Sequence, residues 1–337
     1  MADLFNTVYG RGLVPELKSY VHRPYLVVTM ADLWPRFRDS FDDNVAGPLL
    51  VDTLERDDLD RIVRALPHFE AVIGLGGGQA LDVAKYVAWA HRKPLFQVPT
   101  MMSVNAAWAH RAAVRVNGVV KYVAWAIPEA VYVDYDVIRS APIALNRSGV
   151  GDIICYHTGH HDWQMARDKG RTEPQWPYDQ RLVDEAQAAL QRVVDHADDI
   201  HAVNDAGIRA LAESLRWGGA AFHNAGWNPR HIEGAEHFLF YALEYQTGKP
   251  FIHGQIVGLG VLLMSWLQDN RAAWIREVIE RIGVPYRPEE MGITWDQVAD
   301  ALRILPEHVK RAGLWYTVAS DHPITEDEIA RMRAWLS

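Results

Sequence analysis

The stretch that most constrains this chain is a glycine corner, Gly74-Leu75-Gly76-Gly77-Gly78-Gln79-Ala80-Leu81-Asp82-Val83-Ala84-Lys85, which follows an apolar strand run and opens a helical one. Each of its consecutive glycines costs conformational entropy on folding, so a plain turn explains them poorly. Without side chains the backbone can approach a pyrophosphate, whose charge then rests on the N–H groups of the helix start. A GxGxxG fingerprint would need glycine where Gln79 stands, and no Walker A pattern occurs. A tight turn that packs helix on strand is the bland alternative. Phosphate binding by Gly76, Gly77, Gly78, Gln79 and Ala80 is the expectation. Downstream, Thr100-Met101-Met102-Ser103 follow a second strand run and bring hydroxyls to the same sheet edge, where ligands bind in α/β folds.

Around this corner, the first 140 residues alternate strand and helix. Tyr25–Thr29, Pro48–Val51, Ala71–Leu75, Pro94–Val98 and Ala130–Val133 read as buried strands, with helical spacing over Ala31–Ser40, Asp57–Leu66 and Ala80–Ala90. That alternation predicts βαβ units on a parallel sheet. Asn117-Gly118 between two apolar runs predicts an inserted β-hairpin. From about Ala144 the strands stop, and Asp184–His196, Asp205–Phe222, Ala235–Tyr245, Gln255–Gln268 and Arg271–Ile282 carry long helical patterns. Thr325, followed three residues later by Glu328, suits the start of a last helix. Pro142 and Asn146 punctuate the change. The expected organisation is an α/β dinucleotide-binding domain over residues 1–143 and an all-α domain over 144–337.

Composition excludes several classes. With 49% hydrophobic and 23% charged residues, the 337-residue chain can bury a sizeable core and is not disordered. Its net charge of -9 and lack of a basic block exclude a nucleic-acid footprint. Cys155 is the single cysteine, which excludes a disulfide framework and a cysteine-based zinc cluster. No secretory leader pattern opens the chain. The longest uncharged apolar stretch, Ile256–Leu267, is shorter than the ~18 residues a membrane span needs. A soluble, cytoplasmic enzyme is the simplest expectation.

Three segments in the helical half carry candidate metal ligands: Gly151-Asp152, Glu236-His237 and His253-Gly254. One carboxylate and two imidazoles suit Zn2+ or Fe2+ and leave a position open for substrate. Each residue also has a bland role, Asp152 as a helix cap and the histidines as satisfied polar groups. His157, His160 and His161, on one helix face near Cys155, form a rival cluster. Spacing alone leaves the choice open.

Taken in order, these motifs resemble the iron-containing alcohol dehydrogenase superfamily, which includes glycerol dehydrogenase, glycerol-1-phosphate dehydrogenase and dehydroquinate synthase. The matching pieces are Gly76–Asp82 with Lys85, Pro99–Ser103, Ser148–Asp152, Asp162-Trp163, Gly234–His237, and His253-Gly254 with Val257-Gly258, spanning about Val27 to Met264. The branch most like it is glycerol-1-phosphate dehydrogenase, which Asp162-Trp163, Asn117–Tyr122 and Arg230 match. The resemblance implies a dehydroquinate synthase-like fold and a metal held by Asp152, His237 and His253, which would carry the catalysis. It implies NAD or NADP held by Gly76, Gly77, Gly78, Gln79, Ala80, Thr100, Met101, Met102, Ser103 and Lys121. It also implies a homo-oligomer, dimeric or larger.

The departures concern substrate. Asn105 stands where that branch has an aspartate, Ala109 and Glu233 where it has serines, and Tyr241 where it has a substrate-contacting histidine. Asn105, Tyr241 and Arg230 are the expected substrate residues, with Arg230 suited to an anionic group or, alternatively, to an ion pair with Glu233. Met30 follows the first strand run where many relatives have an aspartate that repels the 2′-phosphate, so NADP is admitted. The implied activity is reversible reduction of a small ketone or aldehyde, bare, phosphorylated or phosphonate-bearing, to an alcohol. A sugar phosphate cyclase and a silent nucleotide-binding homologue are the alternatives.

Overall fold

The computed structural model describes residues 5–321 and 323–337. The chain divides into two compact units, Met1–Asn146 and Arg147–Ser337. In the first unit the strands are β1 Thr7–Gly10, β2 Tyr25–Thr29, β3 Val45–Leu50, β4 Ala71–Gly76, β5 Leu95–Pro99, β6 Arg111–Val116, β7 Val119–Trp125 and β8 Ala130–Asp134. Six of them form one sheet in the order β1-β8-β5-β4-β2-β3, and every pairing in it is parallel. The alternation of side chains splits the core in two. Leu26, Val28 and Val72 pack on one face, while Tyr25, Val27 and Ile73 pack on the other. Burial on both faces explains why these strands read as continuous apolar runs.

Two helices of this unit matter here, α1 (Arg56–Ala65) and α2 (Gly78–His91). The hairpin β6–β7 turns at Asn117 and Gly118, both with positive φ (53° and 76°), as the Asn-Gly pair requires. Lys85 of α2 anchors it: the fully buried ammonium donates to the Arg111 carbonyl at 2.7 Å and pairs with Asp82 at 2.7 Å. The Asp82–Lys85 part of the glycine motif therefore joins helix to hairpin.

Two expectations differ from the structure. The run Ala31–Ser40 is not one helix, because Pro35 starts a single turn, Trp34–Phe37, which tightens into a 3₁₀ turn at Arg38–Ser40. The sequence reading also passed over β1, whose four residues are too short to show a period. Its pairing with β8 creates it.

The second unit contains α3 (Gly151–Asp168), α4 (Gln180–Asp195), α5 (Asp205–Asn224), α6 (Ala235–Thr247), α7 (His253–Leu267), α8 (Ala272–Ile282), α9 (Trp295–Ala312) and α10 (Glu326–Leu336). Side-chain caps start several of them: Asn204 accepts from Gly207 N–H, and Thr294 and Thr325 form capping boxes with Gln297 and Glu328. The sequence reading missed α9, which carries the helix-breaking Pro306. Helix α7 is buried from Gly254 through Ser265 and so runs through the middle of the unit. Among the described residues, no helix is long and apolar enough to cross a membrane.

Candidate active site

The metal candidates converge because helix ends meet. A Cβ on Gly151 would lie 1.9 Å from the carbonyl oxygen of Gly254, so the starts of α3 and α7 touch backbone to backbone. The next residue of α3 is Asp152, and the residue before Gly254 is His253. Their side chains come within 3.2 Å, Asp152 Oδ1 to His253 Nε2. His237, in the first turn of α6, completes the group. Ligand atoms of Asp152, His237 and His253 all lie within 4.8 Å of one another. Asp152 does not cap its helix: Val150 holds the N-cap position and makes no side-chain cap.

Two observations test whether these residues fit a divalent metal. Asp152 Oδ1 is buried and makes no hydrogen bond of good geometry, even to His253 Nε2 at 3.2 Å, and a cation held between the two would satisfy both. His237 Nδ1 lies 2.9 Å from Glu236 Oε1, which fixes Nδ1–H as the donor and leaves Nε2 as a lone-pair ligand. An oxygen and two imidazole nitrogens form the donor set of zinc or ferrous sites. A second grouping, Cys155 with Glu236 and His237, also meets the distance requirement. Its groups are already occupied. Cys155 donates to the carbonyls of Asp152 and Ile232, and burial pushes its thiol well up. Both oxygens of fully buried Glu236 accept hydrogen bonds, Oε1 from Gly234 N–H and His237, Oε2 from the Thr158 hydroxyl. Glu236 is thus placed to orient the His237 ring.

The surroundings are acidic. Burial lowers the affinity of His237 for a proton, yet Glu233, Glu236 and Asp152 outweigh it and raise its pKa to about 9. Asp162 of α3 accepts from the N–H groups of Ala235 and Val318, and burial lifts it to about 7 despite those bonds. Through Ala235 it holds the first turn of α6 in place. The sequence offered no signal for the pairing of Thr158 with Glu236, a contact across 78 residues.

Two of the rival histidines, His157 and His160, are engaged elsewhere. His157 Nε2 meets the Asn270 carbonyl at 2.8 Å, and His160 Nδ1 meets the Tyr156 carbonyl and the Gln187 amide, each at 2.9 Å. Burial lowers His157 to about 4, so it stays neutral.

In the α/β unit, β4 ends at Gly76 and α2 begins at Gly78, with no side chain capping the helix start. The first N–H groups of α2 are therefore open to an anion. Packing also explains part of the motif, since a Cβ on Gly76 would stand 2.7 Å from that of Ala80. Thr100 follows β5 beside this corner, its N–H donating to the Gly76 carbonyl at 3.0 Å, and its buried hydroxyl has no partner. The hydroxyl of Thr29, at the end of neighbouring β2, is buried and unpartnered too, and the sequence reading had not singled it out. Gln79 is exposed, Ser103 buried, and Met101 packs its sulfur toward Gly77. Met102 is buried and spends its N–H on the Asn146 side chain. Lys121 stands exposed on β7.

Comparison with known proteins gives this arrangement a place. The pattern of the iron-containing alcohol dehydrogenases matches residues 32–142. The chain is 31% identical over 265 residues to the glycerol-1-phosphate dehydrogenase (NAD(P)+) of Hyperthermus butylicus, covering 77% of this chain and 72% of that one. The chain belongs to the iron-containing alcohol dehydrogenase family. The enzyme of the same description from Methanosphaera stadtmanae is 29% identical over 285 residues, covering 83% and 78% of the two chains. In fold, the chain is similar to a probable glycerol dehydrogenase from Sinorhizobium meliloti, with a TM-score of 0.74, 19% identity, and 98% and 96% of the chains covered. The glycerol dehydrogenase of Schizosaccharomyces pombe gives a TM-score of 0.71 at 19% identity, with 99% and 90% covered.

Within this member of the iron-containing alcohol dehydrogenase family, two of the departures turn out to be linked. The Tyr241 hydroxyl donates to Glu233 Oε1 at 2.8 Å. Asn105 is half-buried at the start of a 3₁₀ turn, Ala106–Trp108. Arg230 is fully buried, and its counter-ion is Glu173 rather than Glu233. Its Nη1 donates to the Tyr316 carbonyl at 2.6 Å, Nε lies 3.5 Å from Glu173, and Asp162 adds a second negative charge.

Proposed function

We propose that this chain is a metal-dependent, NAD(P)-linked oxidoreductase that interconverts a small ketone or aldehyde and its alcohol. The observation that carries the reading is the meeting of Asp152, His237 and His253, with a buried Asp152 oxygen that makes no hydrogen bond, in a family of alcohol dehydrogenases. The two relatives in sequence described above are glycerol-1-phosphate dehydrogenases, which supports the same chemistry here. When bound, the nicotinamide supplies or accepts the hydride and the metal polarises the substrate oxygen as a Lewis acid.

The residues supply the rest. Asp152, His237 and His253 hold the metal, and Glu236 keeps His237 in the tautomer that leaves Nε2 for it. The open N–H groups at Gly78, Gln79 and Ala80 receive the cofactor pyrophosphate, while Gly76 and Gly77 keep side chains out of its way. Thr100 and Ser103 offer hydroxyls beside it. Asn105 and Tyr241 are proposed to face the substrate. Arg230, enclosed by Glu173 and Asp162, is better suited to bracing the Tyr316 loop than to binding a phosphate. Cytoplasmic work and assembly into dimers or larger are part of the same proposal.

The test loads the purified chain with zinc and follows NADH and NADPH oxidation with dihydroxyacetone, dihydroxyacetone phosphate and a phosphonate aldehyde, beside His237→Ala. Turnover in the parent, with loss of both metal and turnover in the variant, is expected. A fully active His237→Ala protein would remove the metal assignment.

A further inference from the structure

Glu233 is the unexpected group beside the metal ligands. It lies one residue before Gly234, is half-buried, and interacts electrostatically with both His237 and His253. Its Oε1 is taken by the Tyr241 hydroxyl at 2.8 Å. Its Oε2 has no hydrogen-bond partner among the described residues. Tyr241 is itself close to the centre, its ring 6.4 Å from that of His237. A tyrosine has one hydroxyl hydrogen, and here it points at the carboxylate. Toward a ligand on the metal, the pair therefore presents the second carboxylate oxygen of Glu233, with the tyrosine hydrogen already spent on the first.

That polarity decides what can sit next to it. A phosphate or carboxylate group is rich in acceptors and negatively charged, so it would meet Glu233 as like charge against like charge, with no donor to join them. A substrate hydroxyl fits, since it donates its hydrogen to Oε2. Among the described residues of the helical unit Arg230 is the only buried lysine or arginine, and it lies against Glu173 and Asp162 rather than Glu233.

We propose that Glu233, braced by Tyr241, makes this site selective for an uncharged hydroxy-ketone or hydroxy-aldehyde, its free carboxylate oxygen accepting a hydroxyl of the substrate and turning away phosphorylated and carboxylated analogues. The inference rests on the oxidoreductase reading above and narrows it to one class of substrate. It sets this chain apart in specificity from the glycerol-1-phosphate dehydrogenases it is similar to.

The experiment compares dihydroxyacetone with dihydroxyacetone phosphate on the zinc-loaded protein, by NADPH and NADH oxidation and, separately, by calorimetric binding. The parent should favour dihydroxyacetone by about 100-fold or more in kcat/KM, the scale of a like-charge clash. Glu233→Gln, which replaces the charge with an amide donor, should narrow that ratio by about tenfold or more, mainly through a lower KM for the phosphate. Glu233→Ser, which removes the charge with a smaller side chain, should narrow the ratio in the same direction and keeps the test open if the Glu233→Gln protein fails to fold. A parent that favours the phosphate, or a ratio unmoved by Glu233→Gln, overturns the proposal. If no carbonyl is turned over, the oxidoreductase reading fails while the calorimetry still decides selectivity. Tighter binding of dihydroxyacetone upholds the proposal; tighter binding of the phosphate, or binding of neither, overturns it.

Discussion

Glu236 Oε1 stands 2.9 Å from His237 Nδ1 and, at the same time, 2.6 Å from the N–H of Gly234. One oxygen thus sets both the start of α6 and the tautomer of the imidazole that α6 presents. Glu236→Gln keeps the shape but can direct an N–H at Nδ1 in place of a lone pair. Zinc affinity should fall by about 10- to 100-fold, the range for outer partners of metal histidines. Competition against a fluorescent chelator measures it, and an unchanged affinity would mean that Glu236 does not orient the ligand.

The contact between Gly151 and Gly254 admits no side chain. Gly151→Ala would force apart the two helix starts that bear Asp152 and His253. Overpacking of this kind costs about 1–3 kcal/mol. Thermal unfolding with and without zinc should show a lower midpoint and a smaller gain from metal than in the parent. A full zinc-dependent gain in the variant would show that the contact is dispensable.

Met30 follows β2 and packs beside Gly76, its Cγ 4.0 Å from where a Cβ on that glycine would stand. A thioether there carries no charge to repel the ribose 2′-phosphate. NADPH should serve as well as NADH or better. Met30→Asp should reduce kcat/KM for NADPH by about tenfold or more and leave NADH within a few-fold, because an acidic residue near the ribose favours its free hydroxyl. Equal losses with both cofactors would place the ribose away from Met30.

His157 and His231 are both held near pKa 4 by burial. His231 lies between Trp163 and Trp217, and neither of its ring nitrogens has a hydrogen-bond partner. Both groups are depressed in the fold, so the stability tied to their neutrality is complete above the unfolded pKa of 6.5 and is lost as pH falls from there toward 4. Each contributes at most about 3 kcal/mol to that loss. Urea unfolding at pH 7, 6, 5 and 4.5 should show it, and His231→Phe should flatten the decline. A slope identical to the parent's would mean that His231 titrates normally.

The sequence marked much of this in advance, and unevenly. The glycine corner, the alternation of strand and helix, and the Asn117-Gly118 turn are local signals, and the structure has them in place. Asp152, His237 and His253 were each visible as residue types able to bind metal. Local reading failed where an element owed its form to distant pairing, as with β1, or contained a residue that argues against it, as with Pro306 in α9.

The order of motifs along the chain, a property of the sequence itself, determined the fold class, the family and the kind of chemistry. Tertiary structure alone decided which groups act together. It engaged His157 with the Asn270 carbonyl, buried Arg230 against Glu173, and brought Asp152 Oδ1 to His253 without a hydrogen bond. It also joined Thr158 to Glu236 and Asp162 to the N–H of Ala235. The reason is physical: a side chain's residue type fixes what it can donate or accept, whereas the neighbours that take up or leave open that capacity come from helices brought together by packing.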